Sequence, residues 1–264
     1  MKLSSLNRSL LSIGMDLRKA RNAVRGLPAY LQARRSFEKQ MGKSHSGRDF
    51  GLRRNYPVFG EDAQSAGIAS GHYFHQDLYI AQRIFAAQPK RHIDVGSRID
   101  GFVAHVASFR SIEVLDLRSL TTQAANIEFV QADLMDSGIA KDFQTDSLSC
   151  LHALEHFGLG RYGDQIDVDG WIRGLESLSL MLEPAGVLYL SVPSGREQRI
   201  EFNAHRVFSV PFLRSILVKW FEIVDFAFVD DLGNFHPDWT PNSPESEETF
   251  GANYGCSIWT LRKV

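Results

Sequence analysis

The segment "LHALEHFGLGRYGDQIDVDG" gathers more side chains capable of chemistry than any other part of the chain. His152, Glu155 and His156 stand close together at its start, and a histidine titrating near neutral pH suits the removal of a proton from a poor nucleophile. Gly158, Gly160 and Gly163 keep the next loop open to hug a substrate, while Arg161, Tyr162, Asp164, Asp167 and Asp169 offer donors and acceptors to a polar ligand. His152 and His156 have the i, i+4 spacing of a helical metal pair. The glycines after Phe157 leave too short a helix to present them together, so no metal site is expected. His205, in "FNAHRVFS", is a second candidate base, and Glu155 is placed to orient a histidine.

Three more stretches converge on the same chemistry if each ends a strand. "RHIDVGSRIDGFVAH" reads as a strand, a glycine turn and a helix, with Asp94, Gly96 and Ser97 at the turn. Gly96 lets backbone approach a ligand, and the helix beyond offers unsatisfied N–H groups. A dinucleotide fingerprint would need a glycine where Arg98 stands, so a pyrophosphate site is disfavoured. Asp116 follows Gly96 by 20 positions, where a carboxylate accepts both hydroxyls of a ribose. In "QADLMD", Asp133 is placed to reach an adenine amino group while Leu134 covers the ring.

The elements that must position these residues are short apolar runs alternating with helical stretches. "HIDVGS", "IEVLDLR", "IEFVQADL", "SLSCLHALE" and "VLYLSVP" are strand candidates, and 101–109 and 171–182 read as helices. Near-continuous hydrophobicity with helical crossovers predicts a doubly wound α/β domain with a parallel sheet. Pro184 and Gly186 punctuate the turn into the fifth strand. "FEIVDFAFVDD" and "YGCSIWTLRKV", joined by a loop rather than a helix, predict a final antiparallel pair. Before the sheet, "GHYFHQDLYIAQRIFAAQP" predicts a helix ended by Pro89. Leu6, Leu10, Ile13, Leu17 and Val24 recur at helical spacing among basic residues from Leu3 to about Gln40, with Gly26 and Pro28 interrupting. Residues 42–71 read as linker, giving a basic arm over 1–70 and a larger domain over 71–264.

With 264 residues, 44% hydrophobic and 23% charged, the chain can bury a full core. Cys150 and Cys256 are too few and too far apart for a disulfide framework or a zinc spacing, and read as small core residues. No apolar run is long enough to span a bilayer, and a cytoplasmic protein is expected. The net charge of −2 hides an asymmetry: residues 1–54 carry 13 Lys or Arg against 3 acidic residues, a net +10, and the remainder −12. Such an arm predicts contact with an anionic partner, an inner membrane surface or a lipid-linked glycan. A nucleic-acid partner is disfavoured, because the arm has few aromatics and the body is acidic.

With these residues assembled, the chain from about Gly71 to Val264 resembles class I methyltransferases that use S-adenosyl-L-methionine. "IDVGS", "VLDLR", "ADLMD", "DSLSCLHALEH" and "LEPAGVLYLSVPSG" resemble their successive motifs, and "LEHFGLGRYGD" with "HRVFS" resembles a domain-of-unknown-function branch associated with surface-glycan biosynthesis. The resemblance implies a Rossmann-like seven-stranded sheet with a terminal antiparallel hairpin. It implies that Asp94, Gly96 and Ser97 line the methionine part of the cofactor, Asp116 the ribose, Asp133 and Leu134 the adenine, and His152 the sulfonium side, with Tyr73 closing over it. Acidic strand ends suit a cationic sulfonium better than a pyrophosphate. Expected from this are His156 or His205 as base, Glu155 orienting, Arg161, Tyr162 and Asp164 holding an acceptor, and O-methylation of a saccharide in polysaccharide biosynthesis. A SAM-fold protein that has lost catalysis and serves as a scaffold is the alternative.

Overall fold

The computed structural model describes residues 14–44, 50, 52–59, 67–121 and 123–264. The chain divides into two compact units, Met1–Ile68 and Ala69–Val264.

In the first unit, helix α1 (Leu17–Met41) begins where the Asp16 carboxylate accepts the Lys19 N–H at 3.3 Å. The helix runs straight through Gly26 and Pro28, correcting the expected interruption. Their helix penalties are local, roughly 1 and 3 kcal/mol. Packing opposes them: Phe59 lies so close over Gly26 that a Cβ there would meet its ring at 2.6 Å. Val24 and Phe37 stay well exposed on this helix. The part of the predicted helix over residues 3–13 lies outside the described residues.

The second unit opens with α2 (His72–Ala87), stopped by Gln88 in the left-handed conformation just before Pro89. Strands β1 (His92–Val95), β2 (Ile112–Asp116), β3 (Ile127–Gln131), β4 (Thr145–Leu151) and β5 (Leu182–Ser194) pair in parallel. A short hairpin, β6 (Arg199–Glu201) with β7 (His205–Val207), follows β5. β8 (Phe221–Val229), a two-residue edge strand β9 (Phe235–His236) and β10 (Gly255–Lys263) complete the main sheet, in the order β3-β2-β1-β4-β5-β10-β8-β9. β10 lies antiparallel to both β5 and β8, so the expected final pair is present. The predicted seven strands are therefore joined by β9 from within the loop between the last two.

Between Met181 and Val187 the backbone does not make a separate turn. Leu182 already pairs with Thr145, Ser147 pairs with Val187, and the residues between bulge out, with Ala185 at φ 62°. Pro184 and Gly186 thus mark a bulge within β5 rather than a turn ahead of it.

Alternate strand residues enter two cores, one on each face of the sheet. On one face Ile93, Leu148, Leu190 and Trp259 pack with helices α4 (Gly170–Met181) and α5 (Val210–Leu217). On the other, Val114, Tyr189 and Ile258 pack with α2 and with the turn that carries Phe102 and Val103. The crossover after β1 is a kinked turn over Ile99–Val103 leading into the short α3 (Ala104–Ala107). A Cβ on Gly101 would meet the Asp77 carboxylate at 2.7 Å. Among the described residues no helix is long and apolar enough to cross a membrane.

Candidate functional site

The chain reverses its direction of winding between β1 and β4, since β2 and β3 lie to one side of β1 and β4 and β5 to the other. Loops leaving neighbouring strands part at such a point and open a crevice beyond the strand ends. Two adjoining cavities occupy it. A narrow slot of about 70 Å³ is walled by Val95, Leu115, Asp116, Asp133, Leu134 and Phe157. A wider cavity of about 490 Å³ is bounded by Tyr73, Arg98, Glu155, Arg161, His205 and Tyr254. Gly96, Arg118, His152, His156 and Tyr162 line both.

In the slot, Gly96 has φ +72°, and a Cβ there would approach that of Ala153 to 2.9 Å, so the turn needs glycine for both reasons. Asp94 sits below it, fully buried, accepting the Ser97 N–H at 3.0 Å, the Ser97 hydroxyl at 2.7 Å and the Ser149 hydroxyl at 2.5 Å. Burial pushes its carboxyl up to about 6, against the pull of the serine hydrogen bonds. Asp94 and Ser97 hold the turn from beneath rather than forming the slot wall. Leu134 is buried against the apolar side, and Asp133 accepts the Met135 N–H at 2.9 Å. Asp116 stands at the mouth, where the Arg118 guanidinium grips its carboxylate through Nε at 3.0 Å and Nη2 at 2.7 Å. Arg118 also lies 4.4 Å over the Tyr162 ring, with Arg161 at 5.1 Å from the same ring. Half-exposed Arg118 closes the slot with a pair that costs little to open, on the order of 1 kcal/mol.

Arg98 does not enter the slot. It pairs with Asp100 at 3.0 Å and lies 5.3 Å from the Tyr73 ring on the rim of the wider cavity.

The wider cavity holds the titratable cluster. His152, at the end of β4 with φ 50°, places Nδ1 2.9 Å from Glu155 Oε1, and Tyr73 lies tilted at 5.1 Å from its ring. Burial disfavours an imidazolium here, but Cys256 and Glu155 beside it prevail and raise its pKa. Glu155 is opposed by burial and held down by His152 and His156, giving a lowered pKa and a buried carboxylate. His156 donates from Nδ1 to the Ala204 carbonyl at 2.7 Å, leaving Nε2 3.7 Å from Glu155 Oε1. Burial lowers the His156 pKa, so the neutral ring with a free Nε2 lone pair is the form present at neutral pH. His205, the first residue of β7, faces the same cavity 6.5 Å from His156 by ring centroids, with Nε2 3.4 Å from Glu201.

The loop after β4 is held by contacts the sequence did not reveal. Gly158 approaches the Asp167 carbonyl so closely that a Cβ would lie 2.0 Å from its oxygen. The buried Arg206 guanidinium donates to the carbonyls of Phe157 at 2.6 Å, Val168 at 3.2 Å and Glu155 at 3.3 Å. Asp164 accepts the N–H groups of Gly160 at 3.0 Å and Tyr162 at 3.1 Å, and Arg161 donates to the Ala204 carbonyl at 2.9 Å. Arg118 and Arg206 were visible in sequence only as the arginines of "VLDLR" and "HRVFS", and Tyr254 carried no signal.

A family model described as "Caenorhabditis protein of unknown function, DUF268" matches residues 127–234. No curated protein sequence matches the chain. Among solved structures, the N-methyltransferase NodS from Bradyrhizobium japonicum WM9 is similar at TM-score 0.50 and 12% identity, covering 74% of this chain and 99% of that one. A Burkholderia thailandensis 1,6-didemethyltoxoflavin-N1-methyltransferase, solved with bound 1,6-didemethyltoxoflavin and S-adenosylhomocysteine, is similar at TM-score 0.48 and 16% identity, over 72% of this chain and 78% of that one. A putative sarcosine dimethylglycine methyltransferase from Galdieria sulphuraria gives TM-score 0.49 at 13% identity, over 71% and 85%. The strand order of Ala69–Val264 and its likeness to NodS show a Rossmann-like fold.

Proposed function

We propose that the protein is an S-adenosyl-L-methionine-dependent methyltransferase whose acceptor is a small polar molecule, a saccharide hydroxyl being the reading we favour. The observation that carries it is the meeting of four strand ends at the switch point. Gly96, Asp116, Asp133 with Leu134, and His152 with His156 line one crevice with an apolar slot and a polar chamber. When bound, S-adenosyl-L-methionine supplies a methyl group made electrophilic by a positively charged sulfonium.

The residues present fit that cofactor. Gly96 leaves room for close backbone approach, Leu115, Ala132 and Leu134 offer an apolar wall to a flat base, and Asp116 offers a carboxylate to vicinal hydroxyls once Arg118 swings aside. In the wider chamber Arg98, Arg161, Tyr73 and Tyr254 supply donors and ring faces of the kind that grip a sugar.

His156 is the base. Its Nδ1–H is committed to Ala204, so Nε2 takes the proton from the acceptor hydroxyl. The imidazolium that forms lies 3.7 Å from the Glu155 carboxylate, which steadies it. Alignment of acceptor and methyl group supplies the rest of the rate. The basic arm brings the enzyme to an anionic surface that carries its acceptor.

One observation favours a competing reading, a catalytically silent binding protein: Nε and Nη2 of Arg118 already occupy Asp116. Incubation with methyl-labelled S-adenosyl-L-methionine and a panel of saccharide acceptors separates the two. Label on a sugar oxygen supports the enzyme, and cofactor binding without transfer to any polar acceptor supports the silent protein.

A further inference from the structure

Beside the crevice, three separate segments bring a thiol and two imidazoles together. His72 opens α2, His152 ends β4, and Cys256 is the second residue of β10. Among the described residues these form one group in which a nitrogen of each histidine and the Cys256 sulfur lie within 4.8 Å of one another. Cys256 is a free, fully buried cysteine and His152 is nine-tenths buried, while His72 is partly exposed.

We propose that His72, His152 and Cys256 form a zinc site with three protein ligands and an open fourth position. The strongest pointer is His152: its Nδ1 is tied to Glu155 Oε1 at 2.9 Å, and its buried Nε2 has no well-aligned hydrogen-bond partner, with the Cys256 thiol beside it. A buried nitrogen left unsatisfied is costly unless something binds there. A carboxylate behind a histidine is also the arrangement that orients metal-ligating imidazoles and raises their basicity. His72 stacks against the Tyr254 ring with centroids 5.5 Å apart.

The donor set excludes hard cations and fits zinc or copper. One thiolate with two imidazoles suits a borderline ion such as zinc and not magnesium or calcium, which take oxygen. Bond lengths of about 2.0–2.3 Å in a tetrahedral site put ligand atoms about 3.3–3.8 Å apart, so the three must draw in by about 1 Å. The His72 and His152 rings stack at 5.3 Å with planes 8° apart, and closure turns the partly exposed His72. The Cys256 thiolate and the Glu155 carboxylate together balance the charge of the ion. A proton leaves the thiol on binding, so affinity falls as pH falls. The ion would pin the start of α2 to the sheet beside Tyr73 and Tyr254, on the acceptor side of the crevice.

The test uses the full chain stripped with a chelator and then titrated with cobalt(II), without S-adenosyl-L-methionine, so its result stands apart from the methyltransferase reading. One equivalent should bind, with tetrahedral visible bands and a thiolate-to-cobalt charge-transfer band in the near ultraviolet, and zinc should displace it. Cys256→Ser should abolish the charge-transfer band, and His72→Gln, at a partly exposed position, should weaken binding tenfold or more. Glu155→Gln should weaken it about 10- to 100-fold. Circular dichroism of each metal-free variant checks that it is folded. No stoichiometric binding at micromolar metal would overturn the proposal, as would a charge-transfer band that survives Cys256→Ser.

Discussion

At the scale of single residues, some side chains are free to act and others hold them in place. His156 has one nitrogen fixed and one available, and burial keeps it neutral. Replacing it by Ala should lower kcat about 100-fold or more while leaving cofactor affinity unchanged. With the native residue kcat should rise with pH through a midpoint below the usual histidine value of 6.5, since protonation disables the base and burial lowers its pKa. Steady-state kinetics from pH 5 to 8 on both proteins check this, and a variant that keeps the acid limb removes His156 from the role. Asp94 titrates in the opposite direction. Its carboxyl, pushed up to about 6 from an ordinary 3.8, keeps a proton that the unfolded chain has released between those values. Stability should therefore fall as pH rises across that window and then level off. Asp94→Asn should flatten the decline by up to about 3 kcal/mol, measured by urea unfolding of both proteins from pH 4 to 7. Side-chain types at strand ends were legible in sequence, whereas their commitments were not. Asp116 and Asp133 read alike, yet Arg118 occupies one and the Met135 N–H the other, because such contacts depend on rotamers and neighbours that spacing does not encode.

At the scale of elements, periodicity in the sequence located the strands and the larger helices, since burial on both faces of a parallel sheet leaves continuous apolar runs. The misses share a cause. The helix continues through Gly26 and Pro28, and Pro184 and Gly186 sit inside β5, because packing of Phe59 and pairing with β4 override local propensity. The loop after β4 is a comparable case. Its glycines signalled openness, but at Gly158 the structure uses glycine for a close backbone contact with Asp167. Gly158→Ala should cost 2 kcal/mol or more, on the order expected for a strained left-handed backbone with a steric clash, and should displace His156 through the loop. Chemical denaturation measures the first effect and a raised KM for acceptor the second. Wild-type stability and KM would show that the loop tolerates a Cβ and does not set the site.

At the scale of the molecule, charge is divided between a basic arm and an acidic body, and the two compact units divide at Ile68 and Ala69. A chain beginning at Ala69 should keep its crevice and its affinity for cofactor. It should lose most of its partition onto anionic vesicles relative to the full chain at low salt, and added salt should weaken the full chain's binding. Equal co-sedimentation of the two would remove the arm from any surface role. Fold-level likeness to methyltransferases does not by itself assign a reaction, because one fold hosts many chemistries. The claim that joins the scales is that the strand ends around Gly96 and Asp116 hold S-adenosyl-L-methionine. Isothermal titration of the full chain with S-adenosyl-L-methionine and S-adenosylhomocysteine tests it most directly. The account predicts one site per chain, tighter than millimolar for both, weakened about 10- to 100-fold in Asp116→Ala by loss of a charge-assisted hydrogen-bonding carboxylate. Binding of neither ligand below millimolar concentration would contradict it.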